Sequence, residues 1–215
     1  MPRLIFQIVV PLHGLVAVAI VFVARHRIHG GTGRDPVVFR PFREHRTPHG
    51  FLEQVLAAGI ALSVADVAAN ALAPDWVARR AAIPILRESA ALGWTGLALL
   101  SLGVALYAVA VAQMGRSWRI GIDHARPGPL VTRGLYSRVR HPIYTSASLV
   151  VVGLALLLAD GVSIAVAAAG LLAFSVQARL EEDFLRTQFP DAFAAYESRT
   201  GRFWPKLTGA GCDRP

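Results

Sequence analysis

Runs of apolar residues long enough to cross a bilayer recur along this chain, and they constrain its fold more than any motif does. A helix needs roughly 20 predominantly apolar residues to span a hydrocarbon core of about 30 Å. Residues 4–24, 51–72 and 90–114 are three such runs; 143–159 and 162–180 are two more, joined by a tight Asp160-Gly161 turn that makes them a hairpin. In lipid the backbone N–H and C=O groups must pair within the segment, so the runs are read as helices. The predicted fold class is an all-α integral membrane protein with about five transmembrane helices. Composition agrees: 54% of residues are hydrophobic and only 17% charged, against about 25% charged in soluble domains.

Individual runs carry local signals. A secretory signal peptide competes for residues 4–24, but the run is long and no small-x-small cleavage site precedes Arg25. Pro11 and Gly14 predict a kink there, and His13 beside it is expected to be packed or hydrogen-bonded. Asp66 and Asn70, four apart in the second run, share one helix face and are expected to bond a neighbouring helix. Gly93, Gly96 and Gly103 in the third run predict close backbone approach to another helix. Past Glu181 the chain is no longer a span. Leu185, Phe189, Phe193 and Tyr196 form an apolar stripe that Pro190 divides into two short amphipathic helices.

Charge orients the bundle. Twenty-one of the 22 basic residues are arginine. The loops at 25–50 and 115–140 and the stretch 179–215 hold six basic residues each, the link 73–89 three and the N-terminus one. Placing the N-terminus outside and the C-terminus inside puts eighteen on the cytoplasmic side and four outside, as the positive-inside rule requires. The arginines are then explained by topology, and no nucleic-acid partner is expected. His26, His29, His45 and His49 lack the short helical spacing with a carboxylate that zinc sites use, so no metal is expected. The lone Cys212 excludes an intrachain disulfide and a cysteine metal cluster.

Residues 128–144, GPLVTRGLYSRVRHPIY, are a basic, glycine- and proline-bearing interruption between apolar runs. Arg126 lies just upstream; Arg133, Arg138 and Arg140 lie within. His141-Pro142 marks the start of the hairpin, because the residue before proline is pushed to extended geometry and Pro142 suits a first helical turn. Backbone ahead of it is held non-helical, with free polar groups. Glu181 and Glu182 emerge at the other end of the hairpin, on the same side.

The ordered set Gly134-x-Tyr136, Arg140-His141-Pro142-x-Tyr144, a hairpin of about 35 residues, Glu181-Glu182 and Phe189…Tyr196…Arg202-Phe203-x-Pro205 resembles the isoprenylcysteine carboxyl methyltransferase family. It also resembles the related phospholipid N-methyltransferases, and GRSWRIGID at 115–123 resembles the segment preceding that core in bacterial members. The resemblance covers roughly residues 113–205 and divides the chain. Residues 1–112 hold the N-terminal helices and basic loop, 113–205 the methyltransferase core, and 206–215 a flexible tail.

The resemblance implies S-adenosyl-L-methionine as cofactor. It assigns Gly128, Pro129, Leu130, Val131, Tyr136, His141, Pro142, Ile143, Tyr144 and Glu181 to its binding, and Arg140 and Glu182 to catalysis. Gln177, Arg179 and Arg202 are the residues expected on the substrate side. The isoprenylcysteine enzymes place a substrate-binding arginine four residues before the glutamate. This chain has Gln177 there, and Arg179 points to a different helix face. The function expected is carboxyl O-methylation of an isoprenylcysteine-like molecule. The alternatives are N-methylation of a phospholipid head group, with the arginine-rich loop on the phosphate, or a non-catalytic protein on the same scaffold. The expected partners are a lipophilic small molecule or lipid and the membrane, most simply a bacterial inner membrane.

The physical chemistry is compatible with this assignment. A carboxylate can pair with the cofactor's ammonium group, and tyrosine rings attract a sulfonium by cation–π interaction. A carboxylate nucleophile needs no general base at neutral pH; an amine would have to lose a proton, for which Glu182 or His141 is the expected acceptor.

Overall fold

The computed structural model describes residues 5–33, 36, 48–80, 82–119 and 128–206. His45, Arg126, Cys212, most of the 25–50 loop's arginines and the tail beyond Lys206 lie outside the described residues. Among the described residues eight α-helices follow in order: α1 (Val10–Thr32), α2 (Pro48–Leu72), α3 (Pro74–Arg80), α4 (Pro84–Arg87), α5 (Ala90–Met114), α6 (Pro142–Leu158), α7 (Gly161–Gln188) and α8 (Pro190–Arg199). Among the described residues there is no strand, only two isolated bridges, Ala82 with Asp160 and Val139 with Gly201.

Among the described residues, four helices are long and apolar enough to cross a membrane: Gln7–Gly31, Gly50–Leu72, Ala90–Ser117 and Gly161–Gln188. The fifth expected span is the 17-residue α6, about 25 Å long at 1.5 Å per residue. Outward-facing Leu15, Phe22, Ile60, Val64 and Leu172 are all exposed. That apolar exterior suits lipid rather than water. The chain is an integral membrane protein.

Pro11 cannot donate to the helical ladder, and the chain enters α1 through a π-helical turn, Ile5–Val9. His13, just beyond, bonds Val9 O through Nδ1 at 2.7 Å and Ser101 Oγ through Nε2 at 2.9 Å. Because Val9 O can only accept, Nδ1 carries the hydrogen. This is the packed, hydrogen-bonded histidine expected of that position.

The tightest helix pair is α5 with α6, and glycines make it possible. A Cβ on Gly153 would lie 2.6 Å from Leu100 N, and one on Gly96 would lie 2.8 Å from Gly153 O. At Gly103 it would meet Val150 Cγ2 at 2.8 Å and Ser146 O at 2.9 Å. Any side chain would force the two backbones apart, as the small-residue spacing of α5 predicted. Leu100, Val104 and Leu157 fill the seam and meet Val10 of α1. At one end of the bundle Asn70 of α2 donates to Asp160 Oδ2 at 3.2 Å, the cross-helix bond expected of that face.

The C-terminal region departs from expectation in one respect. The first of the two short helices foreseen after residue 180 is not separate: α7 continues through Gln188, and only α8 stands apart, past Phe189-Pro190. Residues 181–188 have no helix breaker, and their acids and arginines pair within the helical register, as Arg186 does with Asp183 at 2.6 Å. Glu181 and Glu182 are therefore carried on a rigid extension of the hairpin.

Candidate functional site

Three segments meet at the end of α6 and α7 opposite the Asp160 turn. A short 3₁₀ turn, Gly134–Ser137, leads into the irregular residues 138–141. Gly134 has φ of +63°. A Cβ there would also collide with the Gln113 side chain, whose Oε1 accepts from Leu135 N at 2.7 Å. Glycine is thus required twice over, by conformation and by space. The segment after α8 runs alongside residues 138–141: Arg140 N donates to Gly201 O at 2.8 Å, His141 N to Arg202 O at 3.0 Å, and Gly201 N to Arg138 O at 3.1 Å. Tyr196 of α8 clamps the same turn, its hydroxyl donating to Tyr136 O at 2.6 Å. Burial pushes the Tyr196 phenol up to about 12 and that of Tyr136 up as well, so both stay neutral donors.

Glu182 lies at the centre of this junction and is fully buried. Arg140 Nε donates to its Oε1 at 2.9 Å, Arg202 Nη2 to its Oε2 at 2.6 Å, and His141 Nε2 faces Oε1 at 3.3 Å. Arg140, with only 8% of its side chain exposed, also donates through Nη1 to the carbonyl oxygens of Thr200 and Glu197. One carboxylate thereby ties together α7, the loop ahead of α6 and the chain after α8. Its hydrogen bonds raise the affinity of Arg202 for its proton, and both carboxylate oxygens are engaged.

Glu181 is adjacent in sequence and differently placed. Its Oε1 accepts from the Tyr144 hydroxyl and, at 3.3 Å, from Gln177 Nε2, while Oε2 lies 3.6 Å from His141 Nδ1. Its side chain keeps 28% exposure, against none for Glu182. Tyr144 stacks between His141, centroids 5.6 Å apart, and Phe174 at 5.9 Å. Gln177 is buried, and because its amide nitrogen faces Glu181, its Oε1 is left without a hydrogen-bond partner. His141 bridges the glutamates. Burial alone would lower its pKa, but the hydrogen bonds and charges of Glu181 and Glu182 outweigh it and raise the value above the usual histidine range.

The structure thus brings His141, Tyr144, Gln177, Glu181, Glu182, Arg140 and Arg202 into one cluster. Pro142 starts α6, and Ile143 packs on the core around Trp118 and Val111. Residues 128–131 are non-helical and lie beside the start of the polar segment, where Ser117 Oγ donates to Pro129 O at 3.4 Å. The Tyr136 hydroxyl points away, to Ala110 O at 3.4 Å, so its ring braces the turn against α5. Arg179 is exposed on another face of α7 and does not join the cluster. Sequence reasoning missed Phe174, Gln113 and Thr200. Phe174, Gln177 and Glu181 fall at offsets of three and four, one helix face, so the first was legible. Thr200 and Gln113 act through backbone contacts that no pattern announces.

Residues 91–192 match the family model described as phospholipid methyltransferase. The resemblance carried by the motifs is borne out. The fold matches the solved structure of a eukaryotic intramembrane Ras methyltransferase, an isoprenylcysteine carboxyl methyltransferase. The TM-score is 0.54 at 20% identity, covering 78% of this chain and 59% of that one. Among curated proteins, the chain is 38% identical over 120 residues to the cobalt-zinc-cadmium resistance protein CzcN of Cupriavidus metallidurans. It is 37% identical over 120 residues to the nickel-cobalt-cadmium resistance protein NccN of Alcaligenes xylosoxydans xylosoxydans. In each case the match takes in 54% of this chain and about half the relative's length. The fold is thus that of the isoprenylcysteine enzyme, and the phospholipid methyltransferase model matches just under half of the chain, from α5 into α8.

Proposed function

We propose that this protein transfers a methyl group from S-adenosyl-L-methionine to a lipophilic acceptor that reaches the site from the bilayer. The observation that carries the reading is the division of labour between adjacent glutamates. Glu182 is saturated by Arg140, Arg202 and His141, whereas Glu181 keeps exposed carboxylate surface beside the Tyr144 and Phe174 rings. Next to it lies Gln177 Oε1, a buried acceptor with no donor. A carboxylate and π faces together fit a ligand bearing positive charge.

When bound, the cofactor supplies an electrophilic methyl on a sulfonium. Glu181 and the aromatic faces hold its positive groups, and the non-helical backbone of 128–131 offers N–H and C=O groups to its base. Arg140 and Glu182 act as positioning residues: they fix the 138–141 segment against α7 and so set where His141 and Glu181 stand. His141, which lies between both glutamates, orients Glu181. Well-oriented reactants gain about 7–11 kcal/mol of barrier reduction from placement alone.

For the acceptor, Gln177 favours one alternative. An unpaired buried carbonyl costs about 1–3 kcal/mol, which a donor-bearing amine relieves and a carboxylate does not. An amine-bearing phospholipid head group is therefore a better fit than an isoprenylcysteine-like carboxylate; its proton would pass to the partly exposed Glu181, because Glu182 is saturated by Arg140 and Arg202, as S-adenosylhomocysteine leaves. Exposed Arg133 and Arg138 of the same loop are available to its phosphate. The cytoplasmic face of a bacterial inner membrane is the placement that the basic loops support. The relatives' names add one outcome to record, namely whether loss of transfer alters tolerance of cobalt, zinc, cadmium or nickel.

Calorimetry with S-adenosylhomocysteine on detergent-solubilised protein tests the reading. Saturable binding is expected, at least about tenfold weaker in Glu181→Gln, since a charge-assisted hydrogen bond is worth roughly 1.5–3 kcal/mol. No binding by the wild type would end the enzyme reading. Radiolabelled methyl transfer into a total lipid extract then separates the acceptors: base-labile methyl esters mean carboxylate, base-stable label in phospholipid means amine.

A further inference from the structure

The chain after α8 is pinned along its length. Gly201 and Arg202 pair with residues 138–141 through their backbones. Thr145 Oγ1 donates to Phe203 O at 2.8 Å, and Lys206 Nζ donates back to Glu197 O at 2.9 Å and Ser198 O at 2.7 Å. Between those pins the turn closes on itself so tightly that a Cβ on Gly201 would overlap Trp204 O. Adjacent side chains on this turn take opposite directions. Phe203 turns inward, its ring 6.2 Å from that of His141. Trp204 turns outward and is 68% exposed, with the exposed Pro205 beside it. A firmly held segment thus presents a large aromatic side chain on the outside.

Two helices set the depth of that side chain. α7 carries no charged residue from Gly161 to Ala178, and the exposed Arg179 is its first, so the apolar environment ends near Arg179. Arg202 bonds Glu182, three residues further on, with Nη2 2.6 Å from Oε2, and Trp204 follows Arg202 by two residues. α6 gives the same level. Its 17 residues span about 25 Å at 1.5 Å per residue, short of a hydrocarbon core of roughly 30 Å. Its first turn, which Thr145 ties to Phe203, therefore does not stand clear of the lipid. The surroundings of Trp204 are cationic. Lys206 is exposed, and so is Arg199, the neighbour of Ser198 to which Lys206 is bonded. Of the three donors of that ammonium, α8 takes two.

We propose that the Trp204-Pro205-Lys206 tip is an interfacial anchor for anionic lipid. The indole lies at the boundary between head groups and acyl chains on the site's side of the bilayer, and Arg199 and Lys206 lie against the lipid phosphates. Tryptophan favours that boundary because its ring is apolar and its N–H polar, and each basic residue near an anionic surface adds attraction. The tip is continuous with residues 138–141 through Gly201 and Arg202, so the anchor fixes the depth at which the site stands. It binds lipid whether or not methyl transfer occurs.

Fluorescence quenching of the full chain, reconstituted in vesicles of phosphatidylcholine with a minor fraction of phosphatidylglycerol, tests this. Trp76→Phe with Trp94→Phe removes the other exposed indoles, and the buried Trp118 stays as a reference. Adding Trp204→Phe gives the difference that belongs to Trp204. Lipid brominated near the carbonyl end of its chains should quench that emission more than lipid brominated at mid-chain. Bromine carried only on the phosphatidylglycerol should act as though that lipid were enriched beside Trp204 about fivefold over its bulk fraction, the equivalent of about 1 kcal/mol for one basic residue at the surface. Arg199→Gln with Lys206→Gln should abolish the enrichment. Arg199→Gln alone, which leaves the Lys206 bonds to α8 in place, should lower it, so a folding defect in the double variant does not decide the matter. Efficient quenching by aqueous acrylamide with no response to either bromine means a water-facing tip and overturns the proposal. Strongest quenching by mid-chain bromine overturns it too, as does an enrichment absent from the wild-type tip or unchanged in both charge variants.

Discussion

Glu182→Ala offers the most direct test of how the site is held. The carboxylate is fully buried and receives Arg140 Nε at 2.9 Å and Arg202 Nη2 at 2.6 Å. Arg202 keeps a third of its side chain exposed; solvent screens it, and its share is that of a surface pair, about 0–1 kcal/mol. Arg140 differs. With 8% exposure it cannot escape to water and would keep only the more exposed Glu197 carboxylate at 3.7 Å, and breaking a buried pair costs about 3–5 kcal/mol. For a chain of this length that corresponds to a fall of about 6–20 °C in the unfolding midpoint, at 2–4 °C per kcal/mol. Tryptophan fluorescence melts in detergent measure it. Glu181→Ala, which removes a more exposed carboxylate one residue away, should move the midpoint by less than about 2 °C while abolishing S-adenosylhomocysteine binding. In a double-mutant cycle Arg140 should couple to Glu182 more strongly than Arg202 does. If Glu182→Ala melts within 2 °C of wild type, or if Glu181→Ala is the more destabilising of the two, the assignment of structural and ligand-facing roles is wrong.

Three further outcomes follow from the geometry. Gly153→Val places a side chain where even a Cβ would lie 2.6 Å from Leu100 N, and should cost about 1–3 kcal/mol by overpacking; Gly14→Ala, with nothing within 4 Å, should be neutral or slightly stabilising on the same melts. His141, whose folded pKa is raised by the two glutamates, contributes stability that is fully present below its unfolded value of about 6.5 and is lost as pH rises through the raised folded value. Melts from pH 5 to 9 should show that decline, and His141→Gln should flatten it. Gln177→Arg replaces the unpaired acceptor with a donor beside Glu181; transfer to a carboxylate acceptor should rise relative to an amine, read as the ratio of labelled esters to labelled head groups.

Much of the architecture was legible before any coordinate. The run at 90–114 and helix α5 coincide, Asp160-Gly161 and His141-Pro142 bound the hairpin as their turn chemistry requires, and Pro190 starts α8. These succeed because proline and glycine act on their own backbone, and because lipid demands long apolar helices whatever their neighbours. The extension of α7 to Gln188 was less legible, since a loss of hydrophobicity after residue 180 marks where the helix leaves the apolar environment and not where its hydrogen bonds end.

Other properties belong to the assembled molecule. Glu181 and Glu182 are chemically identical neighbours, roughly 100° apart around a helix, and no local rule says which one meets Arg140. That is decided by the register in which the segment after α8 lies along residues 138–141, carrying Arg202 to one glutamate and leaving the other beside Tyr144 and Gln177. The same holds for Asp66, whose four-residue spacing from Asn70 defined a shared face but not the buried aspartate across it. Sequence periodicity sets which side of a helix is polar; only packing, which positions residues from opposite ends of the chain within hydrogen-bond distance, sets which polar groups remain unpaired and therefore available to a ligand.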